Sequence, residues 1–228
     1  YGFAIHNYPG LAPGHALIGK GAMNCASVGM RAGFRGATAH ASEPEKARTP
    51  ARAIAAIIPA LLALSQGATE DADFRLVTIT HLNMGAPAFG ITPGEAEIRA
   101  TLRCQQDHAM NALREAAMHI VGDHAKADDL GVEIDWQDDF AASVNHPEAA
   151  AIMARAARAT GITVSDRGLP MRASEDFGRF AARGKTAMIL LGAGEDHPPL
   201  HAADYDFPDQ LIAPSARLFD RITRDLTG

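Results

Sequence analysis

The sequence predicts an α/β protein in which a ferredoxin-like βαββαβ unit is inserted into a partial α/β domain. Between residues 25 and 138, strand-like and helix-like hydrophobic patterns alternate in the order of a split βαβ unit. After residue 139 the pattern changes to short apolar strands separated by helices, which is typical of an α/β sheet. A chain of 228 residues is long enough for both parts.

Residues 1–24 are predicted to hold one strand that runs out into a loop. The apolar residues Phe3, Ala4 and Ile5 favour the strand, and Pro9 followed by a glycine ends it. We assign residues 1–24 to the α/β domain.

The first half of the inserted unit is predicted to be a strand and a helix. Apolar residues alternate over residues 25–36, which predicts a strand with one buried face. Thr49 and Pro50 are typical of an N-cap and a first helical position, and helical spacing continues to about residue 65. Pro59 is expected to bend or split that helix.

The second half of the inserted unit is predicted to contain three strands and one helix. Strands are predicted over residues 75–83, 95–105 and 132–136, and Asp107 is expected to cap a helix that ends near residue 126. In the 4-1-3-2 order of a ferredoxin-like sheet, the strand over residues 75–83 lies at an edge. An unpaired edge can add a partner strand, so we expect dimerisation there.

Residues 139–228 are predicted to complete the α/β domain. Helices are expected over residues 147–160 and 209–227, with strands over residues 162–164 and 186–191. These few strands barely supply a sheet, so the domain is predicted to be partial.

Composition excludes several classes of protein. Lys and Arg number 21 against 27 acidic residues, so no basic excess favours nucleic acid. The longest strongly apolar stretch, residues 53–64, is shorter than the ~18 residues that a membrane span requires. The two cysteines, Cys25 and Cys104, are interpreted as free thiols of a reducing compartment, which predicts a cytoplasmic protein.

Several of the ten histidines lie in loops among Gly and Pro, and three of them, His6, His40 and His201, are candidate functional residues. Loops at the carboxyl ends of strands are where α/β folds place ligands. A solvated loop histidine remains the alternative for each of them taken singly.

Five short motifs occur in a recognisable order along nearly the whole chain. They are His6-x-x-Pro9, the Gly-rich loop ending in His40 before Pro44, the segment from Ile91 to Arg103, Ser174-Glu-Asp-Phe177, and Pro199-Leu-His201. Together they resemble the dinuclear-metal amidohydrolases and metallopeptidases, which include aminoacylases, hippurate hydrolases and auxin-conjugate hydrolases.

The resemblance implies an architecture and a set of roles. Residues 1–24 and 139–228 would be pieces of a catalytic domain with two zinc or manganese ions, and residues 25–138 would be a lid that forms a homodimer. His6 and His201 resemble metal ligands. His40 resembles the lid histidine that polarises the scissile carbonyl, typically in the active site of the dimer partner, and the substrate would be an N-acyl amino acid.

Three further residues carry weaker implications. Arg172 is a candidate for binding a substrate carboxylate, with a solvated loop arginine as the alternative. Glu175 resembles a residue that supports a metal ligand from behind, with a helix-capping acid as the alternative. Gly90 stands where the family usually has a substrate-holding Asn, which leaves the substrate class more open.

The family's remaining ligands, a Cys-x-His pair and a Glu, and its general-base Glu have no counterpart in this sequence. Two histidines cannot complete a pair of four-ligand sites. We therefore expect the chain to be the C-terminal part of such an enzyme and, by itself, to bind metal weakly or not at all and to be inactive. The alternative is a non-catalytic homologue or an isolated dimerisation fragment; a serine hydrolase is excluded because no Gly-x-Ser-x-Gly motif occurs.

Overall fold

Ten β-strands and four α-helices make up the computed structural model, which describes all 228 residues. In chain order they are β1 (Gly2–Pro9), β2 (His15–Leu17), β3 (Ala22–Asn24), β4 (Ala26–Arg35), α1 (Ala51–Leu62), β5 (Arg75–Met84), β6 (Glu95–Cys104), α2 (Asp107–Ala127), β7 (Gly131–Phe140), β8 (Ser143–Val144), α3 (Pro147–Ala159), β9 (Thr163–Ser165), β10 (Thr186–Gly194) and α4 (Ile212–Thr227). Contacts divide the chain into two units, the first formed by Tyr1–Asn24 with Ala142–Gly228 and the second by Cys25–Ala141.

The first unit is built on a four-stranded sheet in the order β1-β10-β2-β9. β1 and β10 run parallel, β2 runs antiparallel to β10, and β9 runs parallel to β2. Alternate residues of β10 enter two different clusters: Ile189 and Leu191 pack with α3 and α4, and Met188 and Leu190 pack with Met23. Because both faces of β10 are covered, its sequence is a continuous apolar run.

Two short strands of the first unit contradict the predicted loop after Pro9. β2 exists because Leu17 and Ala16 pair with Leu190 and Leu191 of β10, and β3 pairs with β8. Strands of three residues are too short to show a hydrophobic period. The final helix also begins later than predicted, since a 3₁₀ turn over Asp209–Leu211 precedes α4.

The second unit is the predicted ferredoxin-like unit. Its sheet has the order β5-β6-β4-β7, with every neighbouring pair antiparallel, so β5 is an edge strand as expected. β4 and β6 pair without interruption over ten residues. Helices α1 and α2 belong to this unit, and the buried side chains of Ile57 in α1 and Leu113 in α2 contribute to its core.

The predicted helix starts in the second unit need correction. α1 begins at Ala51 with Pro50 as its N-cap, and α2 has Gln106 rather than Asp107 at that position. Asp107 instead lies in the first turn, where a carboxylate still favours the helix dipole. Pro59 lies inside α1 without splitting it.

Both cysteines are free, as predicted, and both are buried. Burial raises the pKa of the Cys104 thiol to about 11. None of the helices combines the length and the apolar character needed to cross a bilayer.

Close backbone packing at Gly36 generates a stability prediction. A Cβ at Gly36 would lie 1.8 Å from the carbonyl oxygen of Arg48, which already accepts a hydrogen bond from the Ala37 N–H at 2.9 Å. Gly36→Ala must therefore displace paired backbone, and we expect a loss of about 3 kcal/mol in the free energy of unfolding, measured by urea denaturation. The control is Gly122→Ala in α2, where nothing lies within 4 Å and a gain of about 0.5–1 kcal/mol is expected. Equal stability of the two variants would contradict the crowding at Gly36.

Candidate active site

His6 lies on β1 opposite Leu190 of β10, and the backbone of the next residue orients its ring. Its Nδ1 is 2.6 Å from the carbonyl oxygen of Asn7. Because a carbonyl oxygen only accepts, Nδ1 carries the hydrogen in the neutral ring and Nε2 carries the lone pair. This is the arrangement in which a histidine offers Nε2 to a metal ion.

Glu175 faces that same nitrogen. The distance from His6 Nε2 to Glu175 Oε1 is 3.3 Å, and both side chains are about three-quarters buried, with 28% and 27% of their surface exposed. Hydrogen bonding to Glu175 raises the pKa of His6 above its ordinary value of 6.5, against the lowering effect of burial. The two side chains therefore form a hydrogen-bonded pair.

The position of Glu175 bears on its predicted role. It occupies the N-cap of the 3₁₀ helix Asp176–Ala182, but its side chain makes no capping hydrogen bond. A carboxylate that only orients a metal-bound histidine binds the ring N–H, and here the Asn7 carbonyl has that place. Glu175 instead stands on the side of Nε2, where a cation would meet both side chains.

The donor types suit zinc or manganese, because imidazole nitrogen and carboxylate oxygen are ligands of both. However, no group of three His, Cys, Asp or Glu side chains is close enough to hold a metal ion. His6 and Glu175 thus fit one edge of a metal site without completing it.

His201 lies exposed in the loop between β10 and α4 and does not join the His6–Glu175 pair in a cluster. Its φ of 67° is in the left-handed region, which few residues other than glycine adopt. Strained backbone of this kind is often found at functional sites.

The loop that carries His201 is nevertheless tied to β1. Asn7 Nδ2 donates a hydrogen bond to the Tyr205 hydroxyl, and the Tyr205 ring packs edge-on against His197. His197 Nε2 donates to the Asp206 carbonyl oxygen at 2.9 Å. Sequence reasoning missed Asn7 and Tyr205, although each stands within four residues of a predicted ligand.

His40 lies exposed in the second unit, in the loop between β4 and α1. The Ser42 backbone N–H donates to His40 Nδ1 at 3.2 Å, and the Ser42 hydroxyl lies 2.7 Å from the same atom. Because the backbone N–H only donates, Nδ1 is an acceptor and Nε2 carries the hydrogen in the neutral ring. His40 therefore presents an N–H donor, the opposite of His6.

Arg172 is exposed in the same loop as Glu175, three residues before it. The loop is attached to β3, since the Met171 N–H donates to the Met23 carbonyl oxygen at 2.7 Å.

Comparison with known proteins shows the family of the chain. The model of peptidase family M20/M25/M40 matches residues 1–225. The chain belongs to this family. The match confirms the resemblance that the five motifs indicated.

Three similar proteins illustrate how much of the chain is matched. Hippurate hydrolase of Campylobacter jejuni is 28% identical over 226 residues, which cover 97% of this chain and 58% of that protein. The structure of a putative aminohydrolase from methicillin-resistant Staphylococcus aureus matches with a TM-score of 0.81 at 18% identity, over 97% of this chain and 57% of that one. A dinuclear metal binding peptidase of the M20 family from Bacillus subtilis matches with a TM-score of 0.75 at 18% identity, over 96% and 55%. The chain thus spans a little over half the length of these relatives.

The contact between His6 and Glu175 predicts a change in titration. Glu175→Gln in the metal-free protein should lower the pKa of His6, because a neutral amide no longer stabilises the imidazolium charge. His6 would then lose its proton at lower pH than in the wild type, as followed by NMR of the imidazole resonances. Asp176→Asn, which removes the neighbouring exposed carboxylate, is the control and should have little effect. A similar fall in both variants would mean that general charge, not the contact, raises the pKa of His6.

Proposed function

We propose that this chain is part of a metal-dependent amidohydrolase that cleaves the amide bond of N-acyl amino acids. The observation that carries the proposal is the His6–Glu175 pair, in which Nε2 of His6 and a carboxylate oxygen of Glu175, both of them common metal-ligand types, lie 3.3 Å from each other. Membership of the M20 family and the similarity to hippurate hydrolase support an acyl amino acid as the substrate.

The proposed roles follow from the atoms that each side chain leaves available. His6 binds a metal ion through Nε2 while Nδ1 remains bonded to the Asn7 carbonyl, and His201 is the second histidine ligand. Zinc or manganese in such a site supplies an activated water and polarises the carbonyl. Glu175 supports the metal ligand His6 from its position beside the imidazole ring. Arg172 binds the free carboxylate of the substrate.

His40 acts as the donor for the developing oxyanion. Its Nε2–H is available because Ser42 occupies Nδ1, and a neutral imidazole donates this proton in a hydrogen bond without losing it. We assign His40 to the active site of a partner copy in a homodimer. Residues 25–138 would then be the lid and dimerisation domain, and residues 1–24 and 139–228 would be pieces of the catalytic domain.

The other metal ligands and the general base are proposed to come from a further part of the complete protein. The chain matches only 58% of hippurate hydrolase, which supports this proposal. The chain by itself is expected to be inactive. Its two free thiols support a cytoplasmic location.

One observation favours the second candidate, a non-catalytic homologue that associates through the second unit. No three ligating side chains cluster in this chain. Metal analysis of the complete protein separates the candidates, because the enzyme must bind divalent ions stoichiometrically and the non-catalytic homologue need not.

Substitutions at the two loop histidines should have different effects in the complete protein. His40→Ala should leave the metal content unchanged and lower kcat by about 10²–10³-fold, because an oxyanion donor is lost. His201→Ala should lower the metal content, since a ligand is lost. Hydrolysis of N-benzoylglycine and metal analysis measure the two effects, and His108→Ala, at an exposed position of α2, is the control.

Two outcomes would contradict these assignments. Loss of metal from His40→Ala would make His40 a ligand. Rapid hydrolysis by the 228-residue chain alone, with zinc or manganese added, would show that the ligand set is complete without further residues.

The β5 edge predicts how the protein dimerises. β6 is the only strand that pairs with β5, and the second half of β5 exposes Leu82 and Met84 by 44% and 37%. Leu82→Lys places a charge on this edge and should give a monomer at micromolar concentration in sedimentation velocity. Val132→Lys on β7, the opposite edge of the same sheet, is the matched control and should remain dimeric. A monomeric wild type would rule out the dimer.

A further inference from the structure

A short backbone ribbon places an exposed apolar side chain beside His40. The Ala41 N–H donates to the Gly90 carbonyl oxygen and the Thr92 N–H to the Ala39 carbonyl oxygen, both at 3.0 Å. These bonds flank the bridge between His40 and Ile91, which makes the two residues a non-hydrogen-bonded antiparallel pair. In such a pair the side chains lie next to each other on one face of the ribbon.

The apolar side chain of Ile91 is largely exposed to solvent. It is 60% exposed, and Phe89, two residues earlier, is fully exposed. Thr92 holds the ribbon in place, because its hydroxyl accepts a hydrogen bond from the Ala39 N–H at 2.9 Å. The apolar surface is therefore presented by a fixed element and is available to a ligand.

Ile91 also lines a cavity of about 540 Å³ in the second unit. Such a volume lies within the range of about 300–1,000 Å³ that is usual for small-molecule sites. The rest of the lining is formed by small or apolar residues, by two threonines and by one charged residue, Glu95. No cation lines the cavity.

We propose that this cavity binds the apolar acyl group of the substrate whose carbonyl oxygen His40 contacts, with Ile91 as a specificity-determining residue. The proposal rests on the amidohydrolase function proposed above. The groups bonded to a scissile carbonyl carbon are the acyl chain on one side and the amino acid on the other. The amino acid carries a carboxylate, which Glu95 would repel and no lining cation would bind, so the apolar acyl chain is the group that fits.

The test uses the complete protein with its metal ions and a series of substrates with one amino acid and different acyl groups. The acyl groups are acetyl, butanoyl, hexanoyl and benzoyl. Ile91→Ala should lower the ratio of kcat/KM for the hexanoyl substrate to that for the acetyl substrate by about tenfold, because apolar contact with the longer chain is lost. Val132→Ala is the control: it removes an exposed β-branched residue from β7, the edge strand opposite β5, and should leave this ratio unchanged.

A second variant tests the cavity itself. Ala88 lines it and is exposed, so Ala88→Phe can be accommodated by the fold while it reduces the space available. This variant should hydrolyse the acetyl substrate almost normally and lose about tenfold or more in kcat/KM on the hexanoyl and benzoyl substrates.

The possible failures are distinguishable. If the wild type hydrolyses none of the four substrates, the proposed amidohydrolase function is wrong. If it hydrolyses them, but Ile91→Ala and Ala88→Phe lower kcat/KM equally for every acyl group, the acyl site is overturned. A loss of dimer in Ile91→Ala without a change in acyl preference would also overturn it and would assign this surface to contact between copies.

Discussion

The parallel pairing of β1 with β10 is the constraint on which the first unit depends. The register from Gly2–Thr186 onward sets His6 opposite Leu190, and β10 then leads into the loop that carries His201. Beyond β2, part of the far edge of β10 is covered by a side chain instead of a strand. Asn145 accepts from the Met188 N–H at 2.7 Å and donates to the Met188 carbonyl oxygen at 2.9 Å, which satisfies a buried backbone unit. The buried amide of Asn145 thus makes the backbone hydrogen bonds that a neighbouring strand would otherwise make.

The candidate histidines His6 and His40 have opposite hydrogen-bonding arrangements, which are set by the atom that contacts Nδ1. At His6 an acceptor, the Asn7 carbonyl, takes the Nδ1 hydrogen and leaves a lone pair on Nε2. At His40 a donor, the Ser42 N–H, occupies the Nδ1 lone pair and leaves a hydrogen on Nε2. A metal ligand needs the first arrangement and an oxyanion donor needs the second. The nearest backbone group therefore determines which ring nitrogen of each histidine carries the hydrogen in the neutral ring.

The sequence predicts those parts of the fold whose information is local. The long strands β4 and β6 and the helices show their periods directly, and the order of elements then determines the ferredoxin-like sheet. β2 and β3 are missed because their stability comes from partners more than a hundred residues away. The same holds in the site: His6 and Glu175 are far apart in the chain, and only the folded sheet and loop bring them together. Motifs identify such residues singly, whereas their contact depends on tertiary structure.

The segment that carries His40 shows how a surface loop can still be rigid. At its base, the Gly36 N–H donates to the Gly94 carbonyl oxygen at 2.7 Å, and a Cβ on Gly94 would meet Thr38 at 3.0 Å. Backbone packed this closely leaves little conformational freedom to the two segments that extend from it, the one after Gly36 and the one before Gly94. The hydrogen bonds between residues 39–41 and 90–92 then extend the order to His40 itself. In the proposed role of His40 as an oxyanion donor, a side chain held in this way would need little reorganisation, because electrostatic stabilisation is most effective when the donor is already in place.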